Sequence, residues 1–169
     1  VKILAMSGGV PPALKFAELY PDRTDRMVLL SSAPFTPFSP DIENRPMPTW
    51  VYATLLGNDV VYWSLTKVAR GDLERAFDAR PDLRAELPMA EEAFIRALVD
   101  TFLPASRRVA GVQNEGAAVD PRATYNLEAI RAPVLVVHAR DDRLNPVAVG
   151  EAISTRIAGS QWIRFERGG

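Results

Sequence analysis

The chain has 169 residues, a formal net charge of −1 and a charged fraction of 24%, which are ordinary values for a globular domain in water. Basic residues are scattered among acidic ones, and no apolar run reaches bilayer-spanning length, so neither a nucleic-acid nor a membrane partner is expected. With no cysteine and a single histidine, His138, the chain lacks the ligands for a convincing metal site and has no disulfide.

Four short segments have the composition of β-strands. The first three contain continuous apolar runs, which are typical of strands covered on both faces in a parallel sheet. The fourth alternates between polar and apolar residues, as expected nearer the edge of a sheet. The predicted strands are residues 1–6, 26–32, 133–139 and 161–166.

Helices are expected between these strands. A proline in the first turn marks a helix over residues 11–20. Asn145 is expected to cap a second helix over residues 147–158, with Gly159 at its C-terminal cap. The pattern of two β-α-β units predicts an α/β protein with a parallel sheet and flanking helices.

The middle of the chain has a different character, because it is rich in proline at first and then helical. Phe94, Leu98 and Phe102 recur at helical spacing, with charged residues on the opposite face. This pattern favours a helical lid, or cap, inserted into the sheet domain. The predicted domains are a core of residues 1–33 and 126–169 and an inserted helical lid of residues 34–125.

The sequence Ala-Met-Ser-Gly-Gly, residues 5–9, connects a predicted strand to a predicted helix. A serine at such a turn has a strained backbone and a hydroxyl that projects above the sheet, and the tight bend requires small neighbours. Ser7 is therefore the candidate nucleophile. The amide of Gly8 lies at a helix N-terminus and can stabilise a developing oxyanion. The alternative is an ordinary flexible turn, as most Ser-Gly-Gly strings are.

This segment resembles the nucleophile elbow of the α/β-hydrolase family, whose pattern is G-x-S-x-G, with Ala5 in place of the first glycine. In that family the acid of the triad follows a late strand in a small-x-x-D-x-x-x-P arrangement. The segment from Ala139 to Pro146 resembles it and selects Asp142 as the acid. The alternative is that Asp141 and Asp142 cap the next helix or face solvent.

The resemblance also implies where the catalytic histidine belongs. The chain order Ser, Asp, His places the base after the last strand, so His138, inside the third strand, is not expected to be the base. The histidine is expected directly after Gly169. The chain would then cover about the last two-thirds of a catalytic domain, and residues 1–169 alone are expected to be inactive.

Four aromatic residues of the predicted lid could line an apolar pocket above the nucleophile and exclude water. The alternative is that they form the packing core of the lid itself. These candidate substrate-pocket residues are Trp50, Tyr52, Trp63 and Phe94.

The implied reaction is acyl transfer from a small-molecule substrate such as an ester, in which Ser7 attacks a carbonyl and Asp142 orients the histidine. No cofactor is needed. An acyltransferase or a cofactor-free perhydrolase would use the same triad, and a non-catalytic ligand-binding relative would keep the fold with a broken triad. The sequence does not set the oligomeric state. Val1 is not a start methionine, so the chain is expected to begin inside a larger protein, and the lack of cysteine is compatible with a reducing compartment, for which a cytoplasmic location is the expectation.

Overall fold

The computed structural model describes residues 1–34, 57–76, 79, 84–111 and 124–168. The chain forms two compact units. Val1–Glu43 and Ala118–Gly169 form the first, here named the sheet unit, and Asn44–Ala117 form the second, the helical unit. The predicted insertion of residues 34–125 corresponds in sequence to the helical unit, and its role as a lid stays a prediction.

The sheet unit contains a four-stranded sheet with the order β1-β2-β3-β4, in which every neighbouring pair is parallel. The four predicted strands and their parallel arrangement are thereby confirmed, with ends that shift by one residue at most. The strands are β1 (Lys2–Ser7), β2 (Arg26–Ser32), β3 (Val134–Ala139) and β4 (Gln161–Phe165).

The helices with more than one turn fall in both units. In chain order they are α1 (Val10–Leu19), α2 (Asp59–Val68), α3 (Arg70–Ala76), α4 (Met89–Thr101) and α5 (Val147–Arg156). The predicted helices over 11–20 and 147–158 correspond to α1 and α5. Within the described residues, no helix combines the length and the apolar composition needed to cross a bilayer.

The two described α-helices of the sheet unit, α1 and α5, pack on one face of the sheet. Crossovers between parallel strands are right-handed, and the strand order advances in one direction, so the helices of β1-α1-β2 and β3-α5-β4 must lie on the same side. Ala5, Leu29 and Val136 align across three strands on that face. They form a buried cluster with Leu14 of α1 and Ile153 of α5, and this cluster is the core of the unit.

The other face of the sheet corrects one prediction. The apolar runs suggested strands covered on both faces, but Leu4 is 72% exposed and Met6 is 67% exposed. Ile163 and Phe165 on the edge strand β4 are exposed as well. Within the described residues, the helices between parallel strands both lie on the opposite side, so neither of them covers these side chains.

The helical unit has a small apolar centre between α2 and α4. The Tyr62 hydroxyl donates to the Val99 carbonyl over 3.0 Å, and both residues are buried. The apolar stripe that predicted a helix here is only partly buried, since Phe94 is 65% exposed while Leu98 and Phe102 are half-buried. Phe94 precedes the buried Val99 by five residues, which places the two side chains about 140° apart around the helix. Phe94 therefore lies on a different face of α4 from Val99.

Ion pairs join the helices of this unit. Arg70 binds Asp100 over 3.0 Å and Glu74 over 3.2 Å, and Arg84 binds both Glu74 and Glu92. The hydrogen bonds from Arg84, and then from Arg96, lower the pKa of Glu92 to about 2. The helical-unit network is defined as three arginines and three acidic residues: Arg70, Arg84, Arg96, Glu74, Glu92 and Asp100.

Candidate active site

Ser7 ends β1 in the conformation that a nucleophile elbow requires. Its φ angle is +50°, in the left-handed region that costs a non-glycine residue about 1–3 kcal/mol. Gly8 and Gly9 form the turn into α1, and the Gly9 amide donates to the Met6 carbonyl over 2.9 Å. A Cβ on Gly9 would lie 3.1 Å from that carbonyl oxygen, so the bend favours the smallest residue. The structure thus has the strained strand-turn-helix geometry that the sequence predicted.

Asp142 lies in the turn that follows β3, and its side chain is only 7% exposed. Its carboxylate accepts hydrogen bonds from the Asn145 amide, over 2.8 Å, and from the Ser31 hydroxyl. Both donors are neutral, and among the described residues no Arg or Lys pairs with Asp142. The carboxylate does not cap α5, since no side chain caps that helix. The capping alternative therefore does not hold for α5, and the role of Asp142 as the acid of a triad stays a prediction.

The side chain of Asn145 connects the two candidate residues. Its Nδ2 donates to Ser7 Oγ over 3.3 Å and to Ser31 Oγ over 2.9 Å, while its main-chain amide binds Asp142. The predicted role of Asn145 as a helix cap is wrong, because α5 begins at Val147 after an N-cap Pro146 that forms no side-chain cap. The asparagine side chain is used at the end of the sheet instead.

Ser31 is a residue that the sequence reasoning missed. It lies at the end of β2, between the strands that carry Ser7 and Asp142, and its φ of +43° is also left-handed. Its position in the sequence could have predicted it, because the carboxyl ends of parallel strands meet at one edge of the sheet, and binding sites form at that edge. A serine ending the strand between the two candidates was therefore a candidate in its own right.

His138 is fully buried in β3 and does not bind Ser7 in the structure. Its Nε2 donates to the Asn145 carbonyl over 2.7 Å, and the 3.6 Å from Nε2 to Asp142 Oδ2 is too long for a hydrogen bond. Its Nδ1 is buried without a partner among the described residues. This geometry supports the interpretation that His138 is a structural anchor rather than the base. The site network is defined as five side chains: Ser7, Ser31, His138, Asp142 and Asn145.

Gly150 explains how closely α5 approaches this network. A Cβ at that position would lie 2.7 Å from His138 Nδ1 and 2.9 Å from the Trp162 ring, which is closer than real contacts allow. Glycine is thus required by packing and not by its backbone angles. This requirement was not predictable from the sequence, because a glycine inside a helix has no local pattern that shows which side chains it contacts.

The remaining predicted site residues lie in the turn after β1 and in the helical unit, or outside the described residues. Gly8 directly follows Ser7 in the turn, where its amide as an oxyanion donor stays a prediction. Trp63 and Phe94 are exposed on the helical unit, with the Lys67 ammonium 5.7 Å from the centre of the Trp63 ring. Trp50 and Tyr52 lie outside the described residues. A substrate pocket formed by these aromatic residues stays a prediction.

Solved structures with the same fold place the chain in a wider group. It is similar to the enol-lactonase from Burkholderia xenovorans LB400, with a TM-score of 0.62, 19% identity, and coverage of 96% of this chain and 56% of that one. A hydrolase from Pseudomonas aeruginosa PA01 has a TM-score of 0.60 and 20% identity, with coverage of 96% and 55%. MGS-M2, an α/β-hydrolase enzyme from a Medee basin deep-sea metagenome library, has a TM-score of 0.58 and 18% identity, with coverage of 97% and 56%.

The chain therefore has the α/β-hydrolase fold, as the family resemblance implied. It spans little more than half the length of these solved structures, between 55% and 56%. No protein-family model matches the chain, and no curated protein does.

Proposed function

We propose that the protein is a serine hydrolase that acts on an ester-like small molecule, with Ser7 as the nucleophile and Asp142 as the acid of a Ser-His-Asp triad. The observation that carries the proposal is the link between these residues. The hydroxyl on the strained turn after β1 and the buried carboxylate after β3 both bind Asn145. An enol-lactonase and an esterase from Exiguobacterium antarcticum share the fold, and this likeness supports acyl transfer as the proposed reaction.

In the proposed reaction, Ser7 Oγ attacks the substrate carbonyl and its proton passes to a histidine base. The carbonyl oxygen becomes an oxyanion, which the Gly8 amide would stabilise. Collapse of this intermediate releases the alcohol, which takes the proton from the histidine, and leaves an acyl group on Ser7. A water molecule then adds to the acyl group, gives its proton to the same histidine, and the acid departs as Ser7 recovers its hydrogen.

The proposed role of Asp142 follows from its surroundings. A buried carboxylate held only by neutral donors is poised to stabilise a cation, and the imidazolium formed during attack is such a cation. His138 does not fit that role, because its Nε2 is occupied by the Asn145 carbonyl. We therefore expect the base to come from a segment outside residues 1–169, in line with the chain order of the family.

Activity-based labelling tests the proposal. A fluorophosphonate probe should label the intact protein, and Ser7→Ala should abolish the labelling. Ser154→Ala is the matched control, because that hydroxyl donates only to the Glu151 carbonyl on the surface of α5. Labelling that persists in Ser7→Ala would remove Ser7 as the nucleophile.

A further inference from the structure

Asn145 holds the site network together with both its side chain and its main chain. It is 8% exposed, and its atoms take part in hydrogen bonds with Ser7, Ser31, Asp142 and His138. We infer that Asn145 is a positioning residue that orients the hydroxyl of Ser7 and, through Ser31, the carboxylate of Asp142. The inference rests on the proposed function.

The directions of the hydrogen bonds are fixed by chemistry. A primary amide nitrogen only donates, so both hydroxyl oxygens near Asn145 Nδ2 must be acceptors. An ionised carboxylate only accepts, so the Ser31 hydroxyl must donate to Asp142. The bonds therefore run in one direction, from the amide to Ser31 and from Ser31 to the carboxylate.

The same logic fixes the hydroxyl of Ser7. Because Asn145 donates to Ser7 Oγ, the hydrogen of that hydroxyl points away from the amide. It is then free to donate to a base, which is the orientation that proton transfer needs before attack. An aspartate or a leucine at position 145 would not impose this orientation on the Ser7 hydroxyl, because neither side chain has a hydrogen-bond donor at neutral pH.

The main chain and the side chain of Asn145 have separate tasks. The amide and the carbonyl of the backbone bind Asp142 and His138, over 2.8 Å and 2.7 Å, and keep the turn after β3 in place. The side chain binds only the two serines. A substitution that removes the side-chain amide therefore leaves the bonds of the turn intact and acts on the serines alone.

The expected effect is on the chemical step. In Asn145→Ala the Ser7 hydroxyl and the Asp142 carboxylate each lose a constraint, and misplacement of a reacting group by about 1 Å can cost about 100-fold. We expect kcat for ester hydrolysis to fall about 10- to 100-fold, with KM little changed. A residue that only stabilised the fold would lower the melting temperature and leave kcat per folded molecule as it was.

A double-mutant cycle tests the relay. Asn145→Ala, Ser31→Ala and the double variant are compared in the intact protein by kcat, KM and fluorophosphonate labelling rate. Because the amide acts on Asp142 through Ser31, the Ser31 substitution should cost less in the Asn145→Ala background than in the wild type. Additive effects would overturn the relay, and an unchanged kcat or a loss confined to KM would overturn the positioning role.

Two further measurements keep the outcomes distinct. The His138 imidazole resonances report on the turn, since His138 binds the Asn145 carbonyl, and they should match the wild type in Asn145→Ala. If Asn145→Ala does not fold, the Ser31→Ala variant tests the inference by itself, because it removes only the hydroxyl between Asn145 and Asp142. A kcat equal to that of the wild type would overturn the inference, and a reduced kcat would support it. Absence of labelling in the wild type itself would instead remove the proposed function.

Discussion

Two polar networks among the described residues differ in how their charges are balanced. The helical-unit network contains three arginines and three acidic residues, so its charges cancel, and most of its side chains are accessible to water. The site network contains one carboxylate, Asp142, which is nearly buried and bound only by neutral donors. Among the described residues it has no Arg or Lys partner.

We interpret this difference in terms of the proposed function. Ion pairs whose charges cancel join helices at small gain or cost, and their loss affects stability. A buried carboxylate without a fixed cation has a free-energy cost in the resting state, which makes sense where a cation forms during a reaction. We therefore take the uncompensated charge of Asp142, and not the number of hydrogen bonds, as the feature that distinguishes the candidate site from a structural cluster.

The largest expected effect comes from neutralising the unbalanced charge. Asp142→Asn should lower kcat/KM about 10³- to 10⁴-fold, because the amide cannot stabilise an imidazolium. The thermal midpoint should stay near that of the wild type, since a buried charge is removed at the same time. Steady-state kinetics and thermal unfolding measure the two effects, and Asp100→Asn in the helical-unit network is the control. If the Asp142→Asn variant retained its activity, the proposed difference in role between the site network and the helical-unit network would be wrong.

A smaller effect is expected on breaking the balanced network. Glu74 is 4% exposed and pairs with Arg70 and Arg84, so Glu74→Gln leaves two arginines without their shared partner. We expect a loss of about 1–3 kcal/mol of unfolding free energy, below the range for fully buried pairs because both arginines are partly exposed. Urea unfolding measures the loss, and kcat should not change. A fall in kcat without a loss of stability would show that the networks do not divide as described.

The smallest effect is the acid titration of the helical-unit network. Glu92 has a pKa of about 2 against the ordinary 4.5, because Arg84 and then Arg96 donate to its carboxylate. Its contribution to stability is therefore fully present above about pH 4.5 and is lost as the pH falls through about 2. Side-chain NMR titration should give that low midpoint, and Arg84→Gln should raise it. A midpoint near 4.5 in the wild type would mean that these ion pairs do not persist in solution.

The sequence predicted the parts of the fold that depend on local patterns. Apolar runs located the four strands, and a first-turn proline located α1. The elbow was predictable because a strained turn needs small neighbours, and these are visible in the five consecutive residues 5–9. Asp142 needed the family resemblance, since an Asp-Asp pair has no distinct pattern of its own.

What the sequence did not predict depends on residues far apart in the chain. Asn145 precedes a proline at a helix start, a pattern that favours a cap, and only the three-dimensional structure brings its amide to Ser7, 138 residues away. Ser31 reaches Asp142 across 111 residues. The placement of α1 and α5 on the same face of the sheet likewise follows from strand order and crossover handedness, which apolar composition does not encode.

Mass spectrometry of a trapped acyl group would show whether Ser7 is the nucleophile. Trypsin should release Ile3–Lys15, in which Ser7 is the only residue with a hydroxyl group. After brief reaction of the intact protein with an activated ester and quenching with acid, the acyl adduct should be found on that peptide and be absent in Ser7→Ala. An adduct on another peptide during turnover, or turnover that survives in Ser7→Ala, would contradict the account.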